Sequence, residues 1–584
     1  MNRRIFLSGA MAFSILTASA MSKHLQIAYT TDVHGCFFPT NYSTLTDGEG
    51  SLARIMTAVD SLRSRPEGKE LLLLDNGDIL QGQPTAYYYN YIDTTATHLV
   101  SEILNYMGYD ATTIGNHDVE TGHPVYDRFR RSNSMPMLGA NVIDINSGEP
   151  YFQPYAVFDR NGIRVAVLGM ITPGIPSWLP EILWSGLRFD DMTETARKWI
   201  PIIKEKEHPD IIVGLFHSGH NEASTTGNVI ENASVKVARE VPGFDVILMG
   251  HDHRLYNETI TNVEGKSVKV LNPANNARYL GLVDIDIEVN ESDNAIQQKS
   301  IRTGLIDVRR IEPSQDFMNQ FRPQCEAVHS FVNRTIGECQ TDLSADDAFF
   351  GPSKFMSLLH KLQLEISGAD ISFAAPLSFG AMIRKGPVRV SDMFTLYKYE
   401  NMLYVMELTG AEIKNYLEES YSLWTAQLKP GQPHIINFAS DSPTASDNRL
   451  SNPAYNFDSA AGVNYTVDIT KPKGEKITIT GMSDGRVFDP AAKYTVAVNS
   501  YRGNGGGDLL TKGAGISHEE LSGRVMRATE KDLRYYLIKE IEKNPVIEGS
   551  QISNWKFIPE QTAAEAIAID RKILFSPESS KEQK

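Results

Sequence analysis

Five short polar clusters in this chain carry side chains able to hold divalent metal ions. They are "TTDVHG" with Asp32 and His34, "DNGD" with Asp75 and Asp78, "GNHD" with Asn116, His117 and Asp118, "GLFHSGH" with His217 and His220, and "GHDH" with His251, Asp252 and His253. Singly, each reads as loop or turn chemistry. Each, however, follows a short apolar run: "LQIAYT", "LLLLD", "ATTIG", "DIIVGLF" and "DVILMG". Runs of that length, rich in Ile, Val and Leu, are strands buried on both faces. Loops at the carboxyl ends of such strands converge on one edge of an α/β sheet. Carboxylates, imidazoles and a carboxamide gathered there repel one another and resist desolvation unless cations join them. Oxygen and nitrogen donors without thiolate suit Mn, Zn, Mg or Fe ions. In "GHDH", read as an extended segment, side chains at i and i+2 share a side. His251 and His253 then face the site and Asp252 faces away.

The elements that must position these loops span residues 25 to about 300, where apolar runs alternate with amphipathic stretches such as "TATHLVSEILNYMG" and "ETARKWIPIIKEKE". That alternation defines an α/β domain. Residues 311–334 are polar and helix-compatible and read as a connector. A mixed second domain follows to about residue 555, with strand-like "VNYTVDIT" and "YTVAVNS", a helical "AEIKNYLEES" and a polar loop at 425–455. The end, "SPESSKEQK", has a disordered composition. A chain of 584 residues is too long for one core.

A net charge of −16 argues against a nucleic-acid polymer or an anionic membrane surface as partner. "MNRR", the apolar "IFLSGAMAFSILTA" and the small-residue "ASA" ending at Ala20 read as an export signal, residues 1–20, with "RRIFL" close to a twin-arginine type. The apolar run is shorter than the roughly 20 residues of a membrane span. The mature protein is expected in the periplasm or outside the cell, as a monomer without a membrane span. Three cysteines, Cys36, Cys325 and Cys339, fit no zinc motif; Cys325 and Cys339 either pair or stay free.

The series D-x-H, G-D, G-N-H-[D/E], H and G-H-x-H, in that order, resembles the calcineurin-like metallophosphoesterases. The second half is similar to the C-terminal domain of bacterial 5′-nucleotidases and 2′,3′-cyclic-nucleotide 2′-phosphodiesterases, through "FAAPLSFG", "LYKYEN", "LTGAEIKNYLEES", "YNFDSAAGVNYTVDITKP" and "VNSYRGNGGG". The resemblance implies a two-sheet α/β sandwich flanked by helices over residues 22–310 and a helical hinge over 311–334. It further implies a mixed α/β nucleotide-binding domain over 335–555 and a tail over 556–584. It puts one divalent ion, Mn, Zn or similar, on Asp32, His34, Asp78 and His253, and a second on Asp78, Asn116, His217 and His251. Two such ions about 3.5–4 Å apart would activate a water for in-line attack on phosphorus. His117 would serve the leaving oxygen, with Asp118 or Glu120 fixing its tautomer. Asp75 and His220 are candidates for supporting positions. Tyr399 and Tyr501 would sandwich a base, each stack contributing about 1–3 kcal/mol, with Asn401 at the base edge. Arg384 is the candidate to replace a substrate-holding Arg of the 5′-nucleotidase branch, and Asp508 stands one residue from that branch's ribose-binding Asp. The implied activity is a 2′,3′-cyclic-nucleotide 2′-phosphodiesterase/3′-nucleotidase. The alternatives are a 5′-nucleotidase/UDP-sugar hydrolase, a thiosulfohydrolase of the same architecture, or a binding protein with a dead site.

Overall fold

The computed structural model describes residues 20–575, except 224, 227–228, 291–294, 378, 430–432, 441–442 and 445–448. The expected export signal lies outside the described residues but for Ala20, which opens the first strand. Two six-stranded sheets stack in the N-terminal half. One has the order Ile296–Asp307, Tyr279–Asn290, Ala20–Thr30, Leu72–Asp75, Ala111–Thr113, Met137–Leu138; the other has Leu255–Thr261, Ser267–Pro273, Val246–Met249, Ile211–His217, Ile163–Ile171, Tyr155–Arg160. The strands that precede the polar clusters pair in parallel. Their carboxyl ends therefore lie on one side. Ile27 and Leu74 from one sheet meet Val167, Val213, Leu215 and Leu248 from the other in a closed core. Helices cover both outer faces. On one of them, Met192–Glu207 starts where Asp191 accepts from the Glu194 N–H at 2.9 Å, and it buries Ala196, Ile200 and Ile203 along one stripe. The expected helix-flanked sandwich is the observed architecture.

The connector is two helices, Gln315–Gln320 and Arg322–Asn333. Phe317, Phe321, Val328 and Val332 on them are buried in the N-terminal core. Those four side chains tie the connector to the N-terminal domain. The second domain is built on a five-stranded sheet, ordered Ser459–Ala461, Ile371–Ala374, Lys493–Asn499, Met402–Thr409, Val525–Asp532. Its helix Gly410–Trp424 begins at a reciprocal cap, Thr409 to the Glu412 N–H and Glu412 to the Thr409 N–H at 2.7 Å. The stretch assigned as a tail is not one up to Phe575. Trp555–Ile558 is a strand and Glu560–Phe575 a helix, because Phe557, Ala563, Ala566 and Leu574 complete the second domain's core. Asp570 of that helix accepts from the Ile435 and Ile436 N–H groups at 2.8 and 2.9 Å. Cys36, Cys325 and Cys339 are all free, so the Cys325–Cys339 pairing is excluded.

Two tyrosines join the domains. The Tyr87 hydroxyl donates to Asp532 at 3.1 Å and the Tyr91 hydroxyl to Glu400 at 3.2 Å. The Arg534 guanidinium lies 5.1 Å from the Tyr87 ring centroid and 3.7 Å from Glu400. Burial lifts the Glu400 carboxyl from 4.5 to about 8; Arg534 opposes the rise and Asp532 adds to it. The folded state thus holds this proton more tightly than the unfolded chain. Stability is then unaffected by this group below about pH 4.5 and falls as pH rises through 8. Glu400→Gln is expected to raise the melting temperature at pH 8.5 and leave it unchanged at pH 4.5. The gain should be of order 1–3 kcal/mol, measured by thermal unfolding at both pH values.

Candidate active site

The strand ends bring six of the seven expected ligands to one place through hydrogen bonds and close approaches, and His253 closes the set from the rim. Asp32, Asp78 and His217 have no exposed surface. Asp32 Oδ1 lies 3.2 Å from His253 Nε2, 3.9 Å from His217 Nε2 and 4.0 Å from His34 Nε2. Asp78 Oδ2 lies 3.1 Å from His217 Nε2. Asn116 Oδ1 is 3.1 Å from His217 Nε2 and 2.8 Å from His251 Nδ1. One ligand atom from each of Asp32, His34, Asp78 and His253 falls within a 4.8 Å spread, a metal-competent group.

The glycines of "GNHD" and "GHDH" are needed for approach. A Cβ on Gly115 would strike the Asp78 carboxylate, and one on Gly250 would strike Thr31 and Asp32. Asp32, His34, Asp78, His251 and His253 all adopt positive φ, between 49° and 74°. Such φ values are uncommon outside glycine and collect at functional sites. "GHDH" is therefore a left-handed turn, which corrects the reading of it as extended. The side-chain outcome is nonetheless a split. His251 reaches Asn116 and His253 reaches Asp32, while Asp252 turns away to accept from His220 Nδ1 at 2.5 Å and Asn272 at 2.8 Å.

The site fits cations by its own chemistry. His217 Nδ1 donates to the Asn76 carbonyl at 2.7 Å, so Nε2 is the nitrogen turned to the carboxylates. Asp78 Oδ2 is buried and accepts no hydrogen bond. Burial opposes charge on His217, yet Asp78 and then Asp32 lift its pKa to about 10. Asp32 is held down to about 2: burial pushes it up, and His217 and His253 outweigh that. The cluster is anionic and draws positive charge into a dry place.

His117 stands beside this group, its ring 5.4 Å from that of His34 and its N–H donating to Asp78 at 2.8 Å. Its Nδ1 is 2.5 Å from Glu120. Asp118 is not the partner. Its carboxylate accepts from the backbone N–H groups of Asp78, Ile79, Leu80 and Gly115 at 2.8–2.9 Å, bracing the two loops. Asp75 accepts from Thr30 and Thr112 at 3.0 and 2.8 Å, as a strand-end strut.

In the second domain, Leu403 pairs with Asn499, which brings Tyr399 before one strand next to Tyr501 after the other. A third ring, absent from the expected set, joins them. Tyr455 stands edge-on to both, at 6.5 Å and 85° from Tyr399 and 6.2 Å and 87° from Tyr501. It was visible in "YNFD" but carried no spacing signal. Arg502 fixes this slot: it pairs with Asp458 at 3.2 Å and donates to the Tyr455 carbonyl at 2.8 Å. Both side chains are nearly fully buried. Arg502→Ala strands Asp458 and is expected to destabilise the second domain by about 3–5 kcal/mol, read by denaturant unfolding. Three expected substrate residues are otherwise engaged. Arg384 is exposed and lies 3.8 Å from Asp342, Asp508 pairs with Lys512 at 2.8 Å in its own turn, and buried Asn401 donates to the Tyr397 hydroxyl at 3.3 Å.

The slot and the ligand cluster meet at the domain interface. Trp178 stacks on His251 at 5.6 Å and 22°, and its carbonyl accepts from Asn504, near Tyr501, at 3.2 Å.

Residues 25–255 match the calcineurin-like phosphoesterase model, and residues 332–512 match the 5′-nucleotidase C-terminal domain. With the acid and histidine cluster at the sheet edge, these define a phosphoric ester hydrolase with a divalent-metal site. The chain belongs to the metallophosphoesterases that carry a 5′-nucleotidase C-terminal domain. It is 26% identical to the trifunctional nucleotide phosphoesterase protein YfkN of Bacillus subtilis over 97% of its length, but spans only 41% of that relative. It is 27% identical to a 2′,3′-cyclic-nucleotide 2′-phosphodiesterase/3′-nucleotidase of Haemophilus influenzae, covering 96% of this chain and 92% of the relative. A solved Staphylococcus aureus structure, provisionally assigned as a 5′-nucleotidase, shares the fold with a TM-score of 0.74 at 23% identity, over 91% of this chain and 99% of that one. Among the described residues no helix is long and apolar enough to cross a membrane.

Proposed function

We propose that the chain is an exported nucleotide phosphohydrolase with two divalent ions, acting on 2′,3′-cyclic nucleotides and 3′-nucleotides. The observation that carries this reading is the aromatic slot of Tyr399, Tyr455 and Tyr501, linked through Asn504 and Trp178 to the ring of His251. A flat base held between rings leaves its sugar phosphate directed at the ligand cluster. Asp32, His34, Asp78 and His253 would hold one ion, and Asp78, Asn116, His217 and His251 the other. Bound there, divalent ions supply Lewis acidity toward a phosphoryl oxygen and lower the pKa of water. His117 Nε2 donates a proton at the leaving oxygen, with Glu120 holding Nδ1 and favouring the charged ring. Three relatives named for these substrates, and an exposed Arg384 paired with Asp342, favour the cyclic and 3′ substrates over 5′-nucleotides.

The test is phosphate release from AMP, 3′-AMP, 2′,3′-cyclic AMP and a UDP-sugar, with and without chelator. Turnover of the cyclic and 3′ substrates, abolished by chelator, is the expected result. Tyr501→Ala removes one stack and should raise KM at least ~5-fold. Activity that survives both chelator and His117→Ala overturns the reading.

A further inference from the structure

Three of the four clustered histidines present the same nitrogen to the site. His34, His217 and His253 all point Nε2 inward. For His34 and His217, a backbone carbonyl takes the opposite nitrogen: Gln81 O is 3.2 Å from His34 Nδ1, and Asn76 O is 2.7 Å from His217 Nδ1. His251 is reversed. Its Nδ1 faces Asn116 at 2.8 Å, and its Nε2 lies 2.8 Å from the Glu231 carboxylate. We infer that Glu231 is a positioning residue. It holds the proton on His251 Nε2, so that the Nδ1 lone pair is the one offered alongside Asn116 and His217.

Glu231 is placed rigidly enough for that task. Its carbonyl accepts from the Ser218 hydroxyl at 2.9 Å, one residue after His217, and the next residue, Asn232, accepts from the Gly219 N–H at 2.9 Å. Glu231, which directly follows the short strand Val229–Ile230, is thereby tied to the loop that carries His217. Trp178 covers the His251 ring at 5.6 Å, which leaves rotation about the ring axis as the remaining freedom, and the carboxylate removes it. A charged acceptor bonds an imidazole N–H more strongly than a carbonyl does and raises the basicity of the other nitrogen. Glu231 is also felt by the slot: after burial, it is the largest cause raising the Tyr455 hydroxyl. The residue that orients His251 thus borders the place where a nucleotide would lie.

The inference rests on the two-ion reading, and one experiment separates them. Titrate Mn²⁺ into the ion-stripped wild type, Glu231→Ala and Glu231→Gln by calorimetry, with bound metal counted by elemental analysis. Two ions per wild-type chain are expected. Glu231→Ala should weaken one of them by about 10–100-fold and leave the other unchanged. Glu231→Gln keeps an acceptor for Nε2 and should recover most of that loss, which a merely structural role would not predict. Both ions bound by Glu231→Ala at wild-type affinity would overturn the positioning role alone. Wild-type protein that binds no divalent ion would overturn both readings.

Discussion

Replacing Asp78 by asparagine is expected to lower phosphate release more than 100-fold and to strip bound metal, with the fold intact. Asp78 reaches both halves of the cluster: it groups with Asp32, His34 and His253 within 4.8 Å, and it also approaches His217. Its Oδ1 accepts from the His117 N–H at 2.8 Å, and its Oδ2 lies 3.1 Å from His217 without a hydrogen bond. Asparagine keeps the first acceptor and puts an amide in place of the anionic oxygen. It also tolerates the φ of 53° found there, so little of the loss would come from unfolding. Outer partners of metal ligands cost about 10–100-fold when removed, and on the proposed two-ion reading an anion shared by both ions should exceed that. Phosphate release, metal content and a melting curve on one preparation decide it. Full metal content with full activity would exclude Asp78 as a ligand.

His117→Ala should behave differently. The expected loss is about 10²–10⁴ in kcat, with metal content unchanged and KM within a few-fold. His117 lies against the cluster through its backbone, while its ring turns to Glu120. Burial opposes its charge, but Asp78 and then Glu120 lift the pKa to about 9. An imidazolium so held, with Nδ1 engaged by Glu120, is placed as a proton donor at neutral pH. Glu120→Gln should show a smaller fall in kcat with the same unchanged metal content. Loss of metal on His117→Ala would move His117 into the ligand set instead.

The sheets were legible because their strands are uninterrupted apolar runs, and such runs have few other uses at that length. That the polar clusters converge was legible for a related reason: each directly follows a strand, and parallel pairing leaves no other side for it. What escaped is set by contacts between distant loops. Nothing in "GNHD" says whether Asp118 turns to His117 or to the backbone; four N–H groups from two loops decide it. "GHDH" was read with the geometry of a strand although the strand ends at Met249. Tyr455 follows no strand, Glu231 follows only the two-residue strand Val229–Ile230, and neither carries periodicity. Arg384 and Asp508 were placed by likeness to another branch, and local partners hold both. The ordered helix Glu560–Phe575 was missed because alanines make a shallow apolar stripe that a polar sequence hides.

Five of the seven ligand positions hold left-handed backbone, which costs about 1 kcal/mol or more each for residues other than glycine. Those turns are anchored by the two packed sheets and by braces such as Asp118, whose carboxylate accepts only from backbone N–H groups. Braced by backbone in this way, the expected ligand atoms should hold their places before an ion arrives, and loading should not wait on chain rearrangement. Ion-stripped protein should regain activity on mixing with Mn²⁺ at a rate set by ion encounter and dehydration. A site of this design can be filled after folding from whatever divalent ion is at hand.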